Sequence, residues 1–460
     1  MNEPVLIPDL RPLRQFFDSG VTRSYAGRRQ RLQELQQALL DLEEEILHAL
    51  YADLRKSPEE AYGSETGLVL SEIRYTLKHL RKWMQPCRVR TNLVNWPSSS
   101  RIYREPLGVV LVIAPWNYPF QLSLLPLAGA TAAGNTVVLK PSELAPATAA
   151  VIEKILARVF PPDHVRVVQG EGAVVVPELL RAFRFDHVFF TGSIAAGRSV
   201  YQLAAEQLVP VTLELGGKSP TVVESDADLA TAARRIVLGK FTNAGQTCIA
   251  PDYLLLHTDI RDRMLQHLQT AITQFYGDDP QKSYDYSRII HARRFDTLVG
   301  YLSQGKIITG GAYDKADLFI APTLLEDVAL DQPLMKEEIF GPLLPVYTYR
   351  TMEEAMAIIR LHPGPLAFYL FTRDKGRQRE WMERLSFGGG CINNTIWHFA
   401  NPHLPFGGIG NSGTGAYHGK YTFDRFSHAK PVMRTPVFAD PAIKYPPFKG
   451  KLKWLKFFIR

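Results

Sequence analysis

Residues 106 to 139 carry no charged side chain, so this run must be buried, either in a membrane or in the core of a folded domain. Pro106, Pro115, Pro119 and Pro126, with Asn117, Gln121 and Asn135 among them, divide it into short elements, because proline interrupts regular structure. It reads as strand, turn, helix and strand of a domain core. Strands of the same kind continue downstream. GVVLVIA (108–114), TVVLK (136–140), VRVVQG (165–170) and HVFFTGS (187–193) are short, rich in β-branched and aromatic residues, and each is followed by a helical or turn segment. That alternation predicts a parallel sheet with crossover helices covering both faces.

At 460 residues the chain exceeds the size at which one hydrophobic core keeps growing, and two large domains are expected. A second α/β region is expected from near Thr212 to beyond Phe340, with strands such as TVVES (221–225) and YLLLH (253–257). Ahead of the first sheet, Leu32, Leu35, Leu39, Ile46 and Leu50 recur on a helical period after Ser24, which predicts one long amphipathic helix. A second helix is expected after Ser64, with Ile73, Leu77, Leu80 and Met84 on one face. RVRTNLV (88–94) and RIYRE (101–105) flank the turn-like NWPSSS, which predicts a two-stranded ribbon. A lone ribbon is marginal in water, so it is expected to pack on another part of the molecule or on a second subunit.

The formal charge of +7 would suggest a nucleic-acid partner if it were spread over a surface. Six Lys or Arg residues and no acid lie from Lys444 onward, leaving +1 for the rest. No basic stripe with interleaved aromatics runs through the body, and no nucleic-acid partner is expected. The tail KYPPFKGKLKWLKFFIR mixes lysines with Trp454, Leu455, Phe457, Phe458 and Ile459. It would contact anionic lipid weakly and reversibly, or dock on the protein's own surface. Three irregularly spaced cysteines, Cys87, Cys248 and Cys391, point to a reducing, cytoplasmic setting and offer no paired motif for a metal. The beginning, MNEPVLIPDLRPLR, has no apolar core of signal-peptide length, so export is not expected.

One cysteine stands apart. Cys248 ends FTNAGQTC, a small, polar and flexible run that would display a thiol to a ligand, although free cysteines are commonly just buried small hydrophobes. TGSIAAG places Gly192 and Ser193 between a strand and a helix, where free N–H groups can bind a pyrophosphate, though the glycines do not follow the usual GxGxxG spacing. KPSE ends a buried strand with Lys140 and Glu143, which could hold ribose hydroxyls or simply form a capped loop. APWNYP sets Asn117 after a buried strand, where its amide can stabilise an oxyanion. LELGGKSP puts Glu214 in an apolar, glycine-rich setting, where burial would raise its pKa and make it a base near neutral pH.

APWNYP, KPSE, FTGS, LELGGKSP, FTNAGQTC and EEIFGP (337–342), in this order, resemble the aldehyde dehydrogenase superfamily over nearly the whole chain. CIAPDY (248–253), LPFGGIGNSGTGAYHGKYTFDRFSH (404–428) and the tail look like its class 3 branch of fatty and aromatic aldehyde dehydrogenases, whose members are usually dimers. The resemblance implies an α/β fold: a Rossmann-like cofactor domain (1–84 and 107–211) and a catalytic domain (212–422). It also implies bridging, oligomerising strands (85–106 and 423–440) ahead of the tail at 441–460. It makes Cys248 the nucleophile, Asn117 with the Cys248 N–H the oxyanion hole, and Glu214 the base. Trp116, Lys140 and Glu143 map to the adenosine side of the cofactor, Gly192 and Ser193 to its pyrophosphate, and Glu338 and Phe340 to the nicotinamide ribose. NAD is the expected cofactor with NADP admissible, and the expected substrate is an apolar or aromatic aldehyde. Trp116, Tyr118, Trp397 and Phe399 are candidates to line its tunnel. TGSIAAG, with Ala195 and Ala196, and HPGPLAFYLFT (362–372) depart from the usual family forms, which bears on cofactor preference and on the mouth of the site.

Two rival readings remain. A relative that passes its thioester to coenzyme A would have no use for a water-activating Glu214. A non-catalytic binding or lipid-surface scaffold on the same fold would have no need of the whole constellation.

Overall fold

The computed structural model describes residues 7–438 and 440–459. The opening residues 1–6, Ala439 in the bridging segment and Arg460, last of the tail cations, lie outside the described residues.

Five parallel strands and one antiparallel edge strand build the first sheet, in the order Gly413–Thr414, Val211–Leu215, His187–Gly192, Val109–Ile113, Thr136–Lys140, Val165–Val167. Every residue of Val109–Ile113 and Thr136–Lys140 is buried, as a sheet covered on both faces requires. The uncharged stretch lies at its heart, with the helix Gln121–Ala133 buried along its whole length. Among the described residues no helix is long and apolar enough to cross a membrane. From Val109–Ile113 the chain builds outward in one direction through 136–140 and 165–167, then returns to add 187–192 and 211–215 on the other side. The resulting switch point lies between the carboxyl ends of Val109–Ile113 and His187–Gly192, where open α/β sheets bind ligands.

The second sheet has seven strands in the order Lys306–Thr309, Thr323–Glu326, Leu343–Tyr349, Tyr253–His257, Pro220–Val223, Ala367–Phe371, Gly389–Ile392. It begins at Pro220 rather than near Thr212. Val211–Leu215 pairs in parallel with His187–Gly192 and completes the first sheet instead. Gly413–Thr414, also within the stretch expected to be catalytic, pairs with Leu213 and Glu214 at the same edge. A buried apolar strand does not announce which sheet it joins; the crossover helix Ile194–Glu206 decides it by returning the chain beside its predecessor.

Ser24 caps the helix Tyr25–Asp41 by accepting from the Gly27 N–H at 3.0 Å. The apolar run expected to be one helix is two, broken at Leu42 before Glu43–Leu54. The spacing conceals the break because Leu32, Leu35, Leu39, Ile46 and Leu50 all enter the same core. A π-helical turn, Tyr62–Thr66, leads into Gly67–Met84. The expected ribbon is the start of a three-stranded antiparallel sheet: Cys87–Val89 and Ser427–Arg434 flank Ser99–Pro106. Its first strand is shorter than expected, since Leu93–Asn95 is a 3-10 turn. The second bridging segment opens as the helix Lys420–Arg425 and turns to strand at Ser427.

Candidate active site

Beyond Ile113 the chain passes Pro115 and presents Trp116 and Asn117 past the end of the central strand. Asn117 is buried, and its side-chain amide donates to the Gln246 carbonyl at 3.0 Å. Its backbone carbonyl accepts from Lys56 Nζ at 3.0 Å and from Asn243 Nδ2 at 2.8 Å. The oxyanion candidate and the cysteine turn are therefore stitched together. One N–H of the Asn117 amide is left over for a ligand.

The turn that carries Cys248 is not flexible, contrary to the expectation from its composition. Asn243, Ala244 and Gly245 adopt left-handed backbone conformations and are buried. A Cβ at Gly245 would lie 2.3 Å from the Gly341 carbonyl oxygen, so only glycine fits. The Gln246 side chain donates to the carbonyls of Asn243 (3.0 Å) and Arg288 (2.9 Å) and accepts from the Ile290 N–H at 3.0 Å. Cys248 itself is half-buried. Burial pushes its thiol up, and the Glu338 and Glu214 carboxyls add to the shift.

Glu214 comes from inside the strand Val211–Leu215. It is 3% exposed and neither carboxyl oxygen has a hydrogen-bond partner among the described residues. Burial raises its pKa well above the usual carboxylate range, with Arg425 acting against the shift.

Two cavities meet at these groups. One of about 540 Å³ is largely apolar and is bordered by Tyr118, Phe275, Trp397, Phe399, Phe406 and Tyr417. The other, of about 690 Å³, opens at the switch point and is bordered by Trp116, Gly192, Ser193, Glu338 and Phe340. Cys248 and Glu214 line both, together with Leu122, Thr191 and Leu215. Trp116 therefore belongs to the second cleft rather than to the apolar cavity, while Tyr118, Trp397 and Phe399 do line the latter. In HPGPLAFYLFT, His362 to Pro365 border the second cleft and Leu366 the apolar cavity.

The second cleft fits a dinucleotide. Ser193 caps the helix Ile194–Glu206, accepting from the Ala196 N–H at 3.3 Å, and its first residues line the cleft with free N–H groups suited to phosphate. A Cβ at Gly216 would stand 1.8 Å from Glu338 Oε2, so glycine makes room for that carboxyl. Burial, followed by the nearby Asp252, raises Glu338 to about 8, and its Oε1 is buried without a partner among the described residues. Such an atom is suited to a ribose hydroxyl. Phe340 packs edge-on against Trp116, with ring centroids 5.2 Å apart.

Lys140 and Glu143 are not brought into this lining. They form an ion pair with each other, and Glu143 also accepts from the Gly172 N–H at 3.0 Å. Burial opposes the effect, yet the Gly172 N–H and the Lys140 ammonium together hold the Glu143 carboxyl below its ordinary value. They stand one strand away, Lys140 pairing in register with Ile113. Lys56, Glu65, Lys218, Asp252 and Arg294 also take part in the site, and no motif of the sequence assigns them a role. A lysine inside the apolar LELGGKSP was the one available signal.

The aldehyde dehydrogenase family model matches residues 16–432. The chain is 45% identical over 447 residues to the 4,4'-diaponeurosporen-aldehyde dehydrogenase of Staphylococcus aureus, covering 97% of each. It is 47% identical over 450 residues to aldehyde dehydrogenase family 3 member H1 of Arabidopsis thaliana, covering 96% of this chain and 93% of that one. A solved structure, the substrate-bound state of Staphylococcus aureus AldH, superposes with a TM-score of 0.96 at 44% identity over 98% of both chains. Identity of this extent over a fold this similar shows that the chain belongs to the aldehyde dehydrogenase family, with family 3 members among its relatives, and is an oxidoreductase acting on aldehydes.

Proposed function

We propose that the protein oxidises apolar medium- or long-chain, or aromatic, aldehydes to carboxylic acids, with NAD preferred, through a thioester on Cys248. What carries this reading is the junction: Cys248 and Glu214 border both an apolar cavity and a cleft suited to a dinucleotide. In this scheme Cys248, once deprotonated, attacks the aldehyde carbon. The Asn117 amide and the Cys248 backbone N–H hold the oxyanion of the thiohemiacetal. Bound NAD supplies the hydride acceptor. Glu214 then takes a proton from water, which adds to the thioester; the acid leaves and the thiolate is restored. The unpartnered oxygens of Glu214 favour water over coenzyme A as the acyl acceptor. NADH formation from octanal or benzaldehyde, followed by ultraviolet absorbance and abolished in Cys248→Ala, tests the reading. Absence of turnover with any aldehyde would overturn it and leave the scaffold alternative.

The first sheet would serve as the cofactor domain and the second as the catalytic domain. A homodimer is supported by the three-stranded sheet, whose strand Ser427–Arg434 is exposed at an open edge, a surface that chains cover by pairing. Analytical ultracentrifugation showing only monomer would refute it. The tail helix Leu452–Phe458 leaves Trp454 and Phe457 exposed rather than docked on its own chain. That exposure supports weak, peripheral contact with anionic lipid from a cytoplasmic location. Liposome pelleting of the full chain, no greater than that of a chain ending at Pro441, would dispose of the lipid contact.

A further inference from the structure

Lys56 and Glu65 form an ion pair with both side chains 0% exposed, Nζ to Oε1 at 2.5 Å. Neither residue lines either cavity, so the pair touches no reacting atom. Its remaining contacts converge on the segment that carries Asn117. Lys56 Nζ donates to the Asn117 carbonyl at 3.0 Å and lies 4.0 Å from the centre of the Tyr118 ring. Glu65 Oε2 accepts from the Phe120 N–H at 2.8 Å and the Gln121 N–H at 3.2 Å. Those N–H groups open the helix Gln121–Ala133, which has no side-chain cap of its own, and a helix start buried without a partner is costly. One ion pair therefore fixes both ends of residues 117 to 121.

The segment that supplies the pair also holds the opposite wall. Glu60 accepts from the Asn243 N–H at 2.8 Å and from the Ser287 hydroxyl at 3.1 Å. The π-helical turn Tyr62–Thr66 delivers Glu65 to the interior, and such turns recur at functional sites. A fully buried ion pair is weak evidence for stability, because apolar residues of similar size often do as well or better. Its contacts here are directional: Lys56 ends on the backbone carbonyl of the oxyanion donor and Glu65 on the Phe120 and Gln121 N–H groups three and four residues further on.

We propose that the Lys56–Glu65 pair is a positioning element that holds the Asn117 amide at the carbonyl oxygen of the aldehyde. The proposal rests on the reading of Asn117 as the oxyanion donor. Lys56 acts through Asn117, so the two residues act as a unit and their losses are not independent.

A mutant cycle tests this with Lys56→Met, Asn117→Ala and the double variant, using octanal and its aldehyde-deuterated form. Lys56→Met is expected to lower kcat at least tenfold and to raise the isotope effect on kcat, with NAD affinity within about twofold of wild type. Removing one oxyanion donor costs roughly a hundred- to a thousandfold, and the double variant is expected to be no slower than Asn117→Ala alone. Losses that multiply in the double variant, or an unchanged kcat in Lys56→Met, would overturn the positioning role. Full activity in Asn117→Ala would instead overturn the oxyanion reading. If Lys56→Met does not fold, Glu65→Gln, which preserves side-chain size, completes the same cycle with the same criteria.

Discussion

The ammonium of Lys218 lies against the carboxylate of Asp252, both buried, and together they hold the segment that carries Glu338 and Phe340. Lys218 also donates to the carbonyls of Leu334 and Glu337, each at 2.9 Å, and Asp252 accepts from the Ile339 N–H at 3.0 Å. Lys218 follows Glu214 by four residues, and Asp252 follows Cys248 by four. The pair therefore ties three segments of the site together. Lys218→Met would leave a buried carboxylate unpaired, at a cost of about 3 to 5 kcal/mol. Denaturant titration should show that loss, and the KM for NAD should rise more than kcat falls; unchanged stability would contradict the clamp.

Glu214→Gln should stall hydrolysis, so that mass spectrometry finds an acyl adduct on Cys248 after exposure to aldehyde and NAD. Because burial raises the Glu214 carboxyl, it remains protonated and unable to act as a base until the pH exceeds its raised pKa. Wild-type deacylation should therefore climb with pH through a midpoint above the usual carboxylate range, and the variant should lack that limb. Retained turnover without an adduct would remove Glu214 from the role.

Burial, Glu338 and Glu214 all push the Cys248 thiol up, so the cofactor-free enzyme holds it protonated near neutrality. Alkylation by iodoacetamide should keep accelerating with pH beyond about 8.5, the value of a free thiol. Glu338→Gln should speed it at alkaline pH by removing one negative neighbour. A plateau below about pH 8 would show that the thiol is already activated without cofactor.

Glu59, Glu60 and Asp285 border the apolar cavity, and no lysine or arginine does so among the described residues. Burial holds the neighbouring His418 down at about 3, so it adds no positive charge near neutral pH. Aldehydes bearing a distal carboxylate should be poor substrates, with hexanal exceeding succinic semialdehyde at least tenfold in kcat/KM. Asp285→Asn should narrow that ratio by no more than about fivefold, since exposed charge contacts are worth under about 1 kcal/mol. Equal efficiency on both aldehydes would refute the charge selection.

Glu143 is held ionised by the Gly172 N–H and Lys140, and its charge would repel the additional phosphate of NADP. NAD should be preferred several-fold, and Glu143→Gln should shrink the preference. Steady-state comparison of the two cofactors decides it; equal or better efficiency with NADP in the wild type would refute the ranking.

The α/β character of the first sheet was legible in the sequence pattern, because prolines and polar residues divide the uncharged stretch at 106 to 139 into short elements and apolar strands alternate with helical segments after it. Cys248, Glu214 and Asn117 stood out as candidates because each sits in a short motif whose chemistry is local. What those groups can do was decided by tertiary structure, through partners distant in the chain. Asn117 is anchored by Gln246 and Lys56, and the cysteine turn, flexible by composition, is made rigid by bonds to Arg288 and Ile290. The strand Val211–Leu215 joined the first sheet because its crossover helix returned it there, and Lys140 and Glu143 were left to bind each other beside the cleft. Local sequence determines which groups are present and which elements they can enter. Burial and partner identity set their pKa values and geometry, and both arise only when distant segments pack.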